Sequence, residues 1–335
     1  MNNKNIKCGI VGFGKIGQLH YSVLKSLNLN IVGICDKKTS TKKKLPKSEK
    51  NIFFDNFDKM IKNEINFLII STTADYHSLY AKKAAANKVK YILIEKPVAT
   101  SLKDCRDLKK IQKKFKCKIC VNHTSFFQNH FYKLSNLIKS KHFGKITSIV
   151  FTGGNMGLAM NGVHIFDLVK ILTNEKIEKI TSFLDKKVST NPRGKKFKDR
   201  SGVVIGQTKN RKRFFMDISS DQGHGRNIKI ICEYGEVDFN LLNGKGNYKL
   251  RKKEYLKFAK TKYALPEITA KFKFKIVSLK KATFLQIKNF LSGKKYTNLK
   301  EASYSIKIIL AANMTNQNHL ISVKSIKSKK KYAWA

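Results

Sequence analysis

Acidic residues are scarce in this chain: its 335 residues carry 22 Asp and Glu against 69 Lys and Arg, a formal net charge of +47. Such a balance favours polyanionic partners such as nucleic acid, anionic membrane or phosphorylated molecules. The lysines, however, are spread along the whole chain among abundant Asn and Ile, and no RNA- or DNA-binding motif accompanies them. The charge is therefore read as compositional bias whose field helps to collect an anionic small molecule, with no specific nucleic-acid partner. Long hydrophobic runs are missing as well. None approaches the roughly 20 residues needed to span a bilayer, so no membrane span is expected. Glycines interrupt the first apolar run, which argues against a signal peptide and for a cytoplasmic protein. The six cysteines, Cys8, Cys35, Cys105, Cys117, Cys120 and Cys232, are scattered. Cys117 and Cys120 spell CxxC with His123 behind them, but the run there reads as a strand, whose residues three apart face opposite sides. Without four ligands at zinc spacing, buried free thiols are expected, with neither a disulfide framework nor a metal site. Internal repeats and long low-complexity segments are also missing.

What is present begins at Gly9–His20, GIVGFGKIGQLH. The apolar run Ile6–Val11 precedes glycines at Gly12, Gly14 and Gly17, the G-x-G-x-x-G pattern of a dinucleotide-binding turn. Gly12 permits the tight turn, Gly14 lets the backbone approach a pyrophosphate, and Gly17 lets the next helix pack closely. Phe13, Lys15 and Ile16 complete the turn, and the helix N-terminus offers N–H groups and a positive dipole end to phosphate. A second apolar run, Ile31–Cys35, ends in Asp36, about 20 residues on, where a ribose hydroxyl needs an acceptor. The alternative is an ordinary strand–turn–helix without a ligand. A carboxylate at Asp36 favours NAD over NADP, while Lys37, Lys38 and Ser40 beside it keep NADP open.

Short apolar runs and helical stretches alternate through the first 120 or so residues, as in a doubly wound parallel sheet. The strand candidates are Ile6–Val11, Ile31–Cys35, Ile52–Phe54, Phe67–Ser71, Tyr91–Ile94 and Cys117–Val121. Helices are expected at Gln18–Ser26, Tyr76–Asn87 and Ser101–Phe115, whereas Pro46 argues against a long one in Lys37–Lys50. The rhythm then changes. A helix at Asn129–Ser140, a strand at Ile146–Gly153 and a helix at Val163–Thr173 lead into β-type runs near Ile177–Leu184, Gly202–Thr208, Phe214–Ser219, Ile228–Tyr234 and Glu236–Leu241. Turn signals at Lys209–Arg211 and Asn243–Gly246 suggest a largely antiparallel sheet. Helices at Ile276–Leu291 and Leu299–Asn318 close the chain, and the basic tail Lys327–Lys331 is expected to fray. The expected fold is α/β: a Rossmann domain over 1–121, then an α+β domain over 122–335 with a large open, mainly antiparallel sheet.

Three further segments carry candidate chemistry: Ser71-Thr72-Thr73-Ala74-Asp75-Tyr76-His77, Glu95-Lys96-Pro97, and Asn161-Gly162-Val163-His164-Ile165-Phe166-Asp167. The first two end strands, where ligands of open α/β sheets sit. Taken in order with the glycine turn, and with the late Gly293–Tyr296 and Glu301-Ala302, they resemble the Gfo/Idh/MocA oxidoreductases over nearly the whole chain.

The resemblance implies hydride transfer between NAD(P) and a carbinol or keto carbon of a sugar, inositol or nucleotide-linked sugar. It implies Lys96 beside the nicotinamide, His164 as general acid or base, and a homo-oligomer formed through the open sheet. Ser71, Thr72, His77 and Glu95 would wall the cofactor pocket, and Asn122 and Asn161 would meet the substrate. The bland alternatives are a solvated strand-end lysine at 96 and a core-edge histidine at 164. Asn161, His164 and Asp167 share one helical stripe at steps of three, beside the apolar face of Ile165, Leu168, Val169 and Leu172. The pattern departs from relatives in two places. Met160 stands where many have an aspartate one turn before the histidine, leaving Asp167 to orient the imidazole, and Thr124–Phe127 holds no arginine. A regulator that binds NAD(P) on the same fold without chemistry is the competing class.

Overall fold

The computed structural model describes residues 5–154, 156–186, 188, 191, 194, 196–315, 320–328 and 330–334. Its first sheet is built from short runs that are apolar on both faces, the pattern of strands covered on two sides. These are β1 (Lys7–Val11), β2 (Asn30–Cys35), β3 (Phe53–Phe54), β4 (Phe67–Ile70), β5 (Tyr91–Ile94) and β6 (Lys118–Val121), all parallel, in the order β3-β2-β1-β4-β5-β6. The order reverses between β1 and β4, so their carboxyl ends, Val11 and Ile70, open a crevice at the topological switch point.

Helices α1 (Lys15–Ser26), α2 (Phe57–Met60), α3 (His77–Ala86) and α4 (Leu102–Phe115) make the crossovers. Helix α4 shows why. Ser101 caps its start, accepting the Asp104 N–H at 3.1 Å and donating to that carboxylate at 2.8 Å. Leu102, Cys105, Leu108 and Ile111 then bury one face at helical spacing, and Lys116, in the left-handed region, ends the helix. On either side of Pro46, Lys37–Lys50 forms only the short 3-10 segments Thr39–Lys44 and Lys47–Ile52.

A second sheet follows α5 (Asn129–Ser140). Its strands are β7 (Ile146–Thr152), β8 (Ile177–Leu184), β9 (Gly202–Thr208), β10 (Arg213–Asp217), β11 (Asn227–Cys232), β12 (Gly235–Asn240), β13 (Lys245–Arg251) and β14 (Glu267–Lys273), with α6 (Val163–Thr173) between β7 and β8. The chain closes with α7 (Leu279–Leu291), α8 (Leu299–Met314) and β15 (Ile321–Ser322). The strand order is β14-β13-β12-β11-β7-β10-β9-β8-β15, antiparallel except that β10 runs parallel to β7. One face is buried at alternate positions, as at Phe214 and Met216 of β10, and Phe166 of α6 meets Phe214 edge-on at 6.1 Å.

The chain divides into two compact units. One holds Met1–Phe127 with Ser278–Ile306 and Ser328–Ala335; the other holds Gln128–Val277 with Lys307–Lys327. The expected halves at 121/122 are contiguous; these units are not. Helix α7 joins the first unit because Ile287 and Phe290, both fully buried, complete a core with Ile10, Phe13, Leu24, Phe67 and Leu93. Three local expectations need correction. Of the turn signal at Asn243–Gly246, Lys245 and Gly246 lie in β13 and not in a turn, and β13 pairs with β14, two strands that the sequence did not single out. The last long helix ends at Met314, and residues 316–318 lie outside the described residues. The tail does not fray: Tyr332 N–H donates to the Thr100 carbonyl at 3.1 Å, and the Trp334 indole, 2% exposed, donates to Ala99 at 3.2 Å.

Candidate active site

In the first unit the glycine turn stands at the carboxyl end of β1. Gly12 has φ +88°, and a Cβ there would lie 2.7 Å from the Ser71 and Thr72 backbone. A Cβ on Gly17 would lie 2.0 Å from the Gly12 carbonyl oxygen, so only glycine lets α1 start this close to the turn. A Cβ on Gly14, by contrast, would meet nothing within 4 Å. No side chain caps α1, and its first turn carries no acid. Phe13 is buried, whereas Gly14 and Lys15 are exposed and Ile16 is half-buried. The arrangement is an open helix N-terminus beneath a bare backbone, which fits a pyrophosphate.

Asp36, at the end of β2, accepts the Phe13 N–H at 2.6 Å and the Lys38 N–H at 2.8 Å. The neighbouring Lys37 ammonium sits 4.8 Å over the Tyr76 ring. From the end of β4, Ser71 donates to the Gly12 carbonyl at 2.7 Å, and Thr72 is half-buried beside it. His77 is 1% exposed, with its ring nitrogens 3.1 Å from the carbonyl oxygens of Thr72 and Pro97. Burial pushes its pKa down, against the pull of the Thr72 carbonyl. His77 thus fastens the loops after β4 and β5 from beneath.

Glu95 and Lys96 follow β5. Glu95 accepts from His20 Nε2 at 2.7 Å, from the Asn122 amide at 2.6 Å and from the Lys96 N–H at 3.2 Å. Burial alone would raise its pKa, but hydrogen bonding and charge from His20, the Lys96 charge and Asn122 together hold it below the usual carboxylate range. Asn122 is 3% exposed and also donates to Thr283 at 3.4 Å, so it backs Glu95. Lys96 itself is half-buried. His20 was missed in the sequence because nothing local marks it as buried; its partner lies 75 residues on.

The second unit carries the histidine segment. A π-helical turn, Leu158–Gly162, runs straight into α6. Asn161 and His164 are half-buried, and Asp167 is 5% exposed. The Asn161 amide donates to the Met156 carbonyl at 2.5 Å. Asp199, which the sequence did not single out, accepts the N–H groups of Ala159 and Met160.

Comparison with known proteins agrees with this geometry. Residues 6–123 match the model of the Gfo/Idh/MocA group, described as an oxidoreductase family with an NAD-binding Rossmann fold. The match covers the first part of the chain, which is thus similar to the NAD-binding domain of the Gfo/Idh/MocA oxidoreductases. A glucose-6-phosphate 3-dehydrogenase of Bacillus subtilis is 25% identical over 270 residues, 71% of this chain and 75% of that protein. An NADPH-dependent oxidoreductase structure from Desulfitobacterium hafniense superposes with a TM-score of 0.78 at 14% identity, covering 97% of this chain and 99% of that one. An oxidoreductase from Agrobacterium radiobacter, solved with NAD+, L-tartaric acid and magnesium, gives 0.75 at 15% identity, covering 96% and 99%. At these identities the solved structures establish the fold. The relatives found are dehydrogenases and oxidoreductases, which makes the chain an NAD(P)-dependent dehydrogenase, and the glycine turn lies within the stretch that matches the NAD-binding Rossmann model. The curated relatives found carry dehydrogenase or oxidoreductase names, which favours the enzyme over a regulator without chemistry. Among the described residues no helix is long and apolar enough to cross a membrane.

Proposed function

We propose that the chain oxidises or reduces a carbinol carbon of an anionic polyol, a sugar phosphate or nucleotide-linked sugar, with NAD as the hydride carrier. The carrying observation is the uncapped α1 N-terminus under Gly14, with Asp36 in place to receive a ribose. Bound nicotinamide supplies the hydride acceptor or donor. Gly12 to Gly17 hold the pyrophosphate, Asp36 and Lys37 border the adenosine ribose, and Ser71 and Thr72 line the crevice. Lys96 stabilises the developing alkoxide, and His164 exchanges the hydroxyl proton. Asp167 orients the imidazole and Asn161 hydrogen-bonds the substrate, while His77, Glu95 and Asn122 support Lys96 and the crevice loops of the first unit from the interior.

The anionic substrate rests on the +47 charge and on the sugar-phosphate dehydrogenase among the relatives. The six cysteines, all unpaired and buried, suit a reducing cytoplasm. A homo-oligomer completes the reading, to be measured by light scattering. The direct experiment assays NAD+ and NADP+ against glucose 6-phosphate, myo-inositol and a UDP-linked sugar. Turnover is expected with a phosphorylated substrate and NAD+, with Lys96→Ala and His164→Ala each abolishing it while NADH still binds. Variants that turn over at the wild-type rate would remove both residues from the chemistry.

A further inference from the structure

The segment leading into β9 serves no purpose in the chemistry above, yet its polar groups converge on the turn before His164. Asp199 is 8% exposed, and its Oδ1 and Oδ2 accept the N–H groups of Ala159 and Met160, each at 2.8 Å. The adjacent Arg200 carbonyl accepts the Leu158 N–H, also at 2.8 Å. Three consecutive donors at the start of the π-helical turn are thus satisfied by two residues some 40 positions away. The turn has no cap of its own, since the preceding residue is Gly157. That glycine has φ +61°, and a Cβ on it would lie 2.5 Å from Asp199 Oδ2, so the carboxylate fills the space a side chain would take. The segment itself is fastened. The Arg200 guanidinium donates to the carbonyls of Asp185 at 3.1 Å and Leu184 at 3.0 Å, and Asp185 N–H donates to Ser201 at 3.0 Å.

A π-helical turn is rare and needs outside support to persist against ordinary α-helical winding. Here its wide closure is visible in the Gly162 N–H bonded to the Gly157 carbonyl at 3.2 Å. A buried carboxylate accepting two N–H groups is charge-assisted and complements the positive end of the following helix. His164 is the second residue of α6, so whatever fixes this turn fixes where the imidazole points. We infer that Asp199 is a positioning residue for His164, an external cap that holds the turn in its wide winding. This rests on the reading of His164 as the proton-handling group.

The test combines amide hydrogen exchange with steady-state kinetics on Asp199→Ala, Asp199→Asn and Gly157→Ala in the full chain. Asp199→Ala is expected to speed exchange at Ala159 and Met160 by about 10-fold or more, leaving β11 and β12 unchanged. On the best substrate from the sugar panel kcat falls by about 100-fold, with NADH affinity retained. Asp199→Asn keeps one acceptor oxygen but turns its NH2 toward the second N–H, so kcat recovers in part and one of the two amides stays protected, which a general loss of stability would not produce. Gly157→Ala displaces the carboxylate and repeats the Asp199→Ala phenotype, which keeps the test open if Asp199→Ala fails to fold. Unchanged exchange at 159 and 160 overturns the cap, and faster exchange with unchanged kcat overturns the positioning role. If wild-type protein turns over nothing in the panel, the dehydrogenase substrate reading fails separately, and the exchange rates alone decide whether Asp199 holds the turn.

Discussion

His20 Nε2 and Glu95 Oε1 meet at 2.7 Å inside the first unit, with side-chain exposures of 0% and 10%. The contact ties α1, which opens at the glycine turn, to the end of β5, which carries Lys96. Removing one partner of a buried pair leaves the other desolvated and uncompensated. His20→Ala is therefore expected to destabilise the protein by about 3 kcal/mol, read by urea unfolding. Glu95→Gln costs less, because an amide still hydrogen-bonds the imidazole. A loss under about 0.5 kcal/mol for His20→Ala would show that the pair contributes little.

The glycines of the first turn separate folding from binding. A methyl on Gly17 meets the Gly12 carbonyl oxygen at 2.0 Å, so Gly17→Ala must push α1 away and lower both Tm and cofactor affinity. A methyl on Gly14 meets nothing within 4 Å. Gly14→Ala is expected to leave Tm within about 2 °C of wild type while weakening NADH binding about 10-fold or more, since the methyl stands where the pyrophosphate approaches. Titration of NADH fluorescence checks both. Equal affinity for Gly14→Ala and wild type would place the dinucleotide elsewhere.

Local signals made the first turn legible. Three glycines, the run into Asp36 and the capped amphipathic Leu102–Phe115 each depend on neighbours in sequence. What stayed hidden depends on distant partners. Helix α7 shows an apolar face whose partners the sequence does not name, and contacts such as Phe290 with Phe67 at 6.1 Å and with Tyr91 at 5.6 Å assign it to the first unit. Strand β13 alternates, with Tyr248 and Leu250 buried, but Gly246 on the same face gives no apolar side chain to complete the period. His20 and Asp199 look like ordinary surface residues until the chain folds a carboxylate or a backbone turn against them.

Trp334 is the only tryptophan in the chain, and it follows the lysine run Lys327–Lys331 that reads as a frayed tail. It is 2% exposed, stacked on Tyr332 at 4.7 Å, with its indole N–H on the Ala99 carbonyl. Its fluorescence is therefore expected to be blue-shifted in the native protein and to move red on unfolding of the first unit. Trp334→Ala, or removal of residues 328–335, is expected to cost about 3 kcal/mol or more, measured by urea titration. Emission at the position of free tryptophan in the native protein would mean that the tail is undocked.

Glu175 pins the β9–β10 connection, and its titration gives the protein an acid-sensitive element. Its carboxylate accepts from Thr208 Oγ1 at 2.5 Å, from the Asn210 N–H and side chain at 3.2 and 2.9 Å, and from the Lys212 ammonium. Partial burial works against ionisation, but these donors outweigh it and hold the pKa down at about 2. An unfolded glutamate titrates near 4.3. With the folded value depressed, the stabilisation is complete above the unfolded pKa and is lost as pH falls from about 5 to about 2. Allowing for solvent screening, the contribution is about 1–2 kcal/mol. Glu175→Gln should therefore be less stable than wild type by that amount at pH 7 and match it near pH 2, so the two urea midpoints converge on acidification. Parallel curves across that range would mean that Glu175 ionises alike in the folded and unfolded chains, and the Lys212 contact would then carry no stabilising charge.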